Sequence, residues 1–287
     1  MIKKLSVFLH NHFPFLMIKF YILIGKIDLT YADELRSLKQ LLDKVPLSDP
    51  KVFIDIGCGD GFNMSSAYYL SLNGWQGLLI DSDSHSISIA KKLYKKNPRI
   101  LVTREFVSIV NIENLLKFNG ISKISYLKID IDSIDALILE AILINKNINN
   151  PEIISIEINE KIPLDIEFTM TKIDSNFKSN ALFYGCSFSY VCRLAKSFGY
   201  VPYLLAFNNL FLVKSNLLNE DQLLKLQNTE EIFRNGYLYN INKPHFFPWN
   251  DQYDYWHTLK PEIAIRLIQK KLAEYNLENY FLLKLRD

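Results

Sequence analysis

A surplus of charge of either sign is missing from this chain. Its 33 basic and 31 acidic side chains over 287 residues leave a formal net charge of +2. A nucleic-acid binder normally carries a concentrated basic footprint, so no nucleic-acid partner is expected. Cysteine is scarce too, and Cys58, Cys186 and Cys192 form no C-x-x-C pair. That pattern argues against a thiolate metal site and for free thiols in a reducing, cytoplasmic compartment, where small buried hydrophobes are the expected role. A long uninterrupted apolar run is also lacking. Residues 1–28, MIKKLSVFLHNHFPFLMIKFYILIGKID, are broken by His10, Asn11, His12, Pro14 and Lys19, which makes a poor spanning helix. No small-residue cleavage site follows the early lysines. A packed N-terminal helix and a peripheral anchor on a membrane surface are the two readings of this stretch. No internal repeat or low-complexity segment is visible.

What is present is enough apolar material, 49% of residues, for one large domain or a domain with an appendage. Leu35, Leu38, Leu41 and Leu42 fall at helical spacing, and Pro46 and Pro50 close that helix. From there short β-branched runs alternate with helical patterns. KVFIDIG, WQGLLIDSD, ILVTREFVS, KISYLKIDID and EIISIEIN read as strands. FNMSSAYYLSLN, SHSISIAKKLYKKN (capped by Ser84 or Ser86), IENLLKFNG and IDALILEAILIN read as the helices between them. SFSYVCRLAKSFG is a further helix, and VPYLLAFNNLFLVK a closing pair of strands. Such alternation predicts an α/β fold with a doubly wound, mostly parallel sheet. Beyond Asn216 the pattern becomes two helical stretches around an aromatic-rich loop. The expected division is an N-terminal helical segment (1–46), a cofactor-binding domain (47–216) and a C-terminal helical appendage (217–287).

Only 10 glycines occur in the chain, and three of them stand at Gly57, Gly59 and Gly61. Glycine is costly to order and is usually kept out of element interiors. A cluster after a predicted strand marks a backbone that turns sharply or lets a ligand lie against it, and ligands of such sheets bind at the strands' carboxyl ends. Asp55 precedes the glycines by two. The nicotinamide fingerprint G-x-G-x-x-G needs glycine at position 62, where Phe62 stands. Asp55-x-Gly57-x-Gly59-x-Gly61 instead resembles the first motif of class I S-adenosylmethionine-dependent methyltransferases. The resemblance implies a cofactor site of Asp55, Gly57, Gly59, Asp60 and Gly61. About one βα unit later, GLLIDSD places Asp81 where an acid can accept from both ribose hydroxyls, with Ser82 beside it and Asp83 as the fallback. For the adenine, Ser108, Val110, Asn111 and Ile112 follow the third strand and are the candidates.

YLKIDIDSIDALILEAI, SIEINEKIP, FYGCSFSYVCRLAKSFGY and NNLFLVK resemble, in order, segments of the FkbM-like branch of these enzymes, over about residues 50–215. Ser133 departs from the pattern, which usually has glycine there. The resemblance implies O-methylation of a hydroxyl in a saccharide, glycolipid or polysaccharide precursor, or of a natural-product alcohol.

The acids make chemical sense by themselves. An alcohol is a poor nucleophile until its proton is taken and its oxygen aligned. Asp130 and Asp132, two apart in a predicted strand, can point the same way, and Glu157 and Asn159 repeat that spacing. Together they can bind hydroxyls and act as acid or base. Alternatively, Asp130, Asp132 and Glu157 can hold Mg²⁺ or another divalent cation that lowers the acceptor's pKa. Lys128 is placed to neutralise the cluster, and Asp135 to cap the helix that follows. On the acceptor side, Tyr184 precedes a helix that Ser187 can cap. The stretch PHFFPWNDQYDYWH offers His245, Trp249 and His257 as substrate contacts or base, or else an aromatic loop that pins the C-terminal helices. Rivals to a saccharide O-methyltransferase are methylation of a phenol or polyketide alcohol, and a cofactor-binding module that has lost its chemistry.

Overall fold

Each β-branched run becomes a strand because both faces of a parallel sheet are covered, which leaves such strands almost continuously apolar. The computed structural model describes residues 13–26, 28–174 and 176–286; of the stretch read as a packed helix or peripheral anchor, residues 1–12 and 27 lie outside them. Among the described residues, helices α1 (Pro14–Leu23) and α2 (Glu34–Leu42) precede the sheet. The α/β alternation runs β1 (Val52–Ile56), α3 (Ala67–Leu72), β2 (Gln76–Asp81), α4 (Ser84–Tyr94), β3 (Ile100–Arg104), α5 (Ile112–Phe118), β4 (Tyr126–Ile129), α6 (Asp135–Leu143) and β5 (Ile153–Glu157). Then come β6 (Ile166–Met170), α7 (Phe188–Lys196), β7 (Tyr200–Ala206) and β8 (Asn209–Lys214). The central sheet has seven strands in the order β3-β2-β1-β4-β5-β8-β7. Strands β1 to β5 are parallel, and β8 is antiparallel to both its neighbours. The sheet is therefore mostly parallel and doubly wound, as the alternation predicts.

The direction of winding reverses between β1 and β4. In open α/β sheets the crevice outside the carboxyl ends at that switch point is where ligands bind. The glycine turn leaves β1 there, and Asp130 follows β4.

Two features depart from the sequence reading. The helix expected straight after the glycines starts only at Ala67, so a ten-residue loop (57–66) intervenes. Ser65 and Ser66 send their hydroxyls to Asp55 and Glu34, and Asn63 is tied to Asp60. Such side chains compete with helical backbone bonding. The C-terminal stretch, moreover, is not wholly helical. After α8 (Glu220–Lys225), α9 (Thr229–Phe233), α10 (Lys243–Phe246) and α11 (Pro261–Glu274) comes β9 (Phe281–Leu285), which pairs antiparallel with β6 in a separate two-stranded sheet. Phe233, Tyr237, Phe247, Trp256 and Phe281 share one apolar core with sheet residues Ile129 and Ile156. Among the described residues no helix is long and apolar enough to cross a membrane.

Candidate cofactor and acceptor site

Two cavities adjoin at the carboxyl ends of the strands, and Met64 and Asp132 line both. The first, of about 380 Å³, is lined by Gly57, Gly59, Asp81, Ser82, Glu105, Phe106, Val107 and Asp130 among others. The second, of about 410 Å³, is lined by Tyr31, Asp132, Glu157, Glu160, Lys161, Tyr184, Asn208, Phe247 and Trp249 among others.

The glycine turn is required by contact as well as by conformation. Gly57 has φ +86°, and a Cβ there would stand 1.7 Å from the main-chain oxygen of Asp130. Gly59 has φ +55° and open space above it, which lets a ligand approach the main chain. Gly57→Ala is expected to disrupt the fold, because backbone meets backbone. Gly59→Ala should cost only about 1–2 kcal/mol of left-handed strain, yet it intrudes on the first cavity. Melting temperature and S-adenosylhomocysteine titration on the two variants separate the effects: Gly59→Ala should melt near the wild type and bind at least about tenfold more weakly. Equal binding by Gly59→Ala would mean that no ligand lies on this turn.

Asp81 ends β2 at the first cavity. Its Oδ2 accepts from the Gly59 N–H at 2.8 Å and its Oδ1 from the Asp83 N–H at 2.8 Å. Each carboxylate oxygen keeps a further lone pair for a diol. Asp83, the alternative, accepts from the Ser86 N–H at 2.7 Å as the N-cap of α4, in place of the expected serines. Asp55 does not line the cavity; it is buried beneath the turn and accepts from the Ser65 hydroxyl at 2.6 Å. Burial pushes its pKa up to about 6, against the opposing pull of Lys128. Asp60 also lies off the cavity: its Oδ1 accepts from the N–H groups of Phe62 and Asn63 and closes the loop.

Ser108 and Val110 are not brought to the first cavity. Ser108 and Asn111 bond to each other, Val110 points to solvent, and Glu105, Phe106 and Val107 take the lining positions. Strand β3 ends at Arg104, short of the predicted Ser108, and the lining falls on the residues just before Ser108 instead.

Asp130, Asp132 and Glu157 converge, with one carboxylate oxygen from each within 4.8 Å of the others. The reason is not strand alternation, because β4 ends at Ile129 and Asp132 takes φ +55°. Asp135 fixes this turn. It is fully buried, and its Oδ1 and Oδ2 each accept at 2.8 Å, from the Ile131 and Ser133 N–H groups. It thus stands at the first position of α6 and shapes the loop before it, not the helix end. Ser133 is accommodated because the left-handed residue is Asp132 beside it. Glu157 Oε1 accepts from Asn208 Nδ2 at 2.6 Å. Burial and the charges of Asp130 and Asp132 hold Glu157 protonated well above the usual carboxylate range. Burial and Asp130 raise Asp132 too.

Asn159 does not join this cluster. It is buried, and its amide donates to the main-chain oxygens of Leu182 and Tyr184. Glu160, which the sequence reading missed, lies at the second cavity and accepts from Tyr184 OH (2.7 Å), Lys161 Nζ (3.1 Å) and Asn250 Nδ2 (2.5 Å). Tyr184 and Trp249 line this cavity, whereas His245 is exposed on α10 and outside its lining. Ser187 caps α7 through the Tyr190 N–H.

His257 is also outside both cavities, against Phe233 and Tyr237. Burial, then Lys243, lower its pKa to about 4, and its Nε2 has no partner. A histidine depressed in the fold contributes stability above its ordinary 6.5 and loses it as pH falls toward about 4. His257→Phe is therefore expected to gain about 2 kcal/mol on the wild type in going from pH 8 to pH 5. Urea unfolding at the two pH values checks this, and an equal difference at both would refute it.

The second missed residue is Glu34, from α2. Lys128 Nζ donates to Glu34 Oε2 at 2.9 Å and to the Met64 main-chain oxygen at 3.2 Å, and it stands 3.5 Å from Asp130 Oδ2. The Lys128 and Glu34 side chains are each 2% exposed. One buried cation thus joins the N-terminal helix, the glycine loop and the acid cluster.

No family model matches the chain, and no curated protein matches it. Among solved structures it is similar to the [4+2]-cyclase SpnF, at 12% identity over 58% of each chain with a TM-score of 0.38. It is similar also to the CMeT domain of the citrinin polyketide synthase, at 14% identity over 62% of this chain and 50% of that one, TM-score 0.40. The match thus spans about half the length of these two. A third is M. capricolum TrmK in complex with S-adenosyl-homocysteine, at 14% identity over 84% of this chain and 94% of that one, TM-score 0.40.

Proposed function

We propose that this chain is an S-adenosylmethionine-dependent O-methyltransferase of the FkbM-like kind, acting on a hydroxyl of a saccharide, glycolipid or polysaccharide precursor. The observation that carries the reading is the pair of adjoining cavities with Asp132 at their junction. One has the glycine turn and the Asp81 carboxylate; the other has the Asp132–Glu157 acids among hydroxyl- and amide-bearing side chains.

The first cavity fits the cofactor through the open face of Gly59, the free lone pairs of Asp81 for the ribose diol, and Phe106 and Val107 as apolar walls for a base. When bound, S-adenosylmethionine supplies an electrophilic methyl group on a sulfonium. This chain's residues supply the rest. Tyr184 and Trp249 present ring faces suited to the apolar faces of a sugar. Asn208 and Lys161 offer donors to its hydroxyl oxygens. Asp132, its pKa raised by burial and by Asp130, takes the acceptor hydroxyl's proton, while protonated Glu157 steadies it. Only one of the two neighbouring carboxyls has to be ionised.

A divalent cation on Asp130, Asp132 and Glu157 is the second reading, supported by their 4.8 Å grouping; it would lower the acceptor's pKa so that its proton could pass to water rather than to Asp132. Against it, Lys128 already places a cation at Asp130. A phenol or polyketide alcohol would suit a more apolar second cavity. A nicotinamide ligand is disfavoured because the position of the third fingerprint glycine is held by buried Phe62. The test is calorimetric titration with S-adenosylhomocysteine, with and without Mg²⁺, beside NAD. Micromolar binding of the former alone, about −8 kcal/mol, supports the reading, and NAD binding alone refutes it. Transfer of labelled methyl to a panel of saccharides then tests the acceptor class, and labelling of phenols alone would refute that part.

A further inference from the structure

Helix α1 has the sequence PFLMIKFYIL, in which every residue but Pro14 and Lys19 is hydrophobic. A helix that is apolar all round is normally buried all round. Here only Met17 and Ile18 are buried, with Ile18 packed in a cluster with Phe62 and Ile89. Leu16, Phe20 and Leu23, spaced i, i+4 and i+7, share one face. All three are exposed, together with flanking Phe13 and Ile24. At ten residues the helix is far too short to span a bilayer.

In sequence, the charge of this stretch up to Asp28 is one-sided. Residues 1–27 contain Lys3, Lys4, Lys19 and Lys26 and not one aspartate or glutamate. Lys19 lies over the Phe15 ring at 4.9 Å, and Lys26 over Tyr21 at 5.3 Å, so both ammonium groups sit at the border of the apolar face. We propose that this face lies in the headgroup layer of an anionic phospholipid bilayer, with its apolar side chains in the acyl boundary and its lysines among the phosphates. A second copy of the chain is the poorer occupant. A two-fold contact would set the same acid-free, lysine-bearing segment against itself, with like charges and no acid from that segment to offset them. Neither this face nor its test depends on the methyl-transfer reading.

The experiment is flotation of the full chain with vesicles of phosphatidylcholine, and of phosphatidylcholine mixed with phosphatidylglycerol. The expected result is flotation with the anionic vesicles only, weakened by high salt. Leu16→Asp/Leu23→Asp should lower the bound-to-free ratio at least about tenfold with no loss of melting temperature, because both positions are exposed. Lys19→Glu/Lys26→Glu should abolish the preference for anionic vesicles. Absence of flotation, or flotation that the aspartate variant leaves unchanged, would overturn the proposal. So would a wild-type dimer that does not float and that the aspartates dissociate, since a second copy would then cover the face.

Discussion

Lys128→Met is expected to destabilise the protein by about 3–5 kcal/mol, the usual penalty for removing one partner of a buried ion pair. The cause is what remains. Glu34 and Asp55 are buried and Asp130 lies at the cavity, and all three would lose the one ammonium they face in common. Asp55 already has its pKa pushed up to about 6, with Lys128 opposing the rise. Without that opposition its proton is held to higher pH. An acid whose pKa is raised in the fold contributes its stability below the unfolded value and loses it as pH rises through the folded one. The deficit of Lys128→Met should therefore be smaller at pH 5 than at pH 8. The double variant Glu34→Gln/Lys128→Met removes the stranded Glu34 carboxylate and should recover most of the loss. Urea unfolding of the two variants at both pH values decides the matter. A single variant within about 1 kcal/mol of the wild type would show that the network is slack and that α2 is not braced to the glycine loop through it.

That brace also marks where sequence reasoning ends. Glu34 and Lys128 are 94 positions apart, and nothing in either local pattern points to the other. Strands β6 and β9 escaped for the same reason: FLLKL reads as the tail of a helical stretch until Ile166–Met170 comes to lie beside it. By contrast, β1 to β5 and the turn after β1 are local statements of β-branched runs and clustered glycines, and these were legible. The near misses in the site come from strand ends. Strand alternation would put Asn159 beside Glu157, but β5 stops at Glu157 and the Asn159 amide instead bonds the Leu182 main chain. Asp132 joins Asp130 although β4 has already ended, because the Asp135 carboxylate draws in the Ile131 and Ser133 N–H groups and Asp132 adopts the left-handed conformation between them.

Asp132→Asn is expected to lower methyl transfer by about 10²–10⁴-fold, the usual contribution of a positioned general base, while leaving S-adenosylhomocysteine affinity within about threefold of the wild type. The separation follows from position. Asp132 stands at the junction of the two cavities, whereas Gly59 and Asp81, which would hold the cofactor, belong to the first alone. An amide keeps the size and one acceptor oxygen of the side chain but cannot take up a proton. Glu157→Gln should cost less, since Glu157 is already protonated and its Oε1 still meets Asn208. Single-turnover rates with radiolabelled S-adenosylmethionine from the usual carboxylate range up to alkaline pH give the readout. The wild-type rate should fall toward acid as Asp132 protonates, and the asparagine variant should show no such limb. Full turnover by Asp132→Asn would remove the acid pair from the mechanism. If EDTA silenced the wild type and Mg²⁺ restored it, the three carboxylates would be ligands, and Glu157→Gln should then be as damaging as Asp132→Asn.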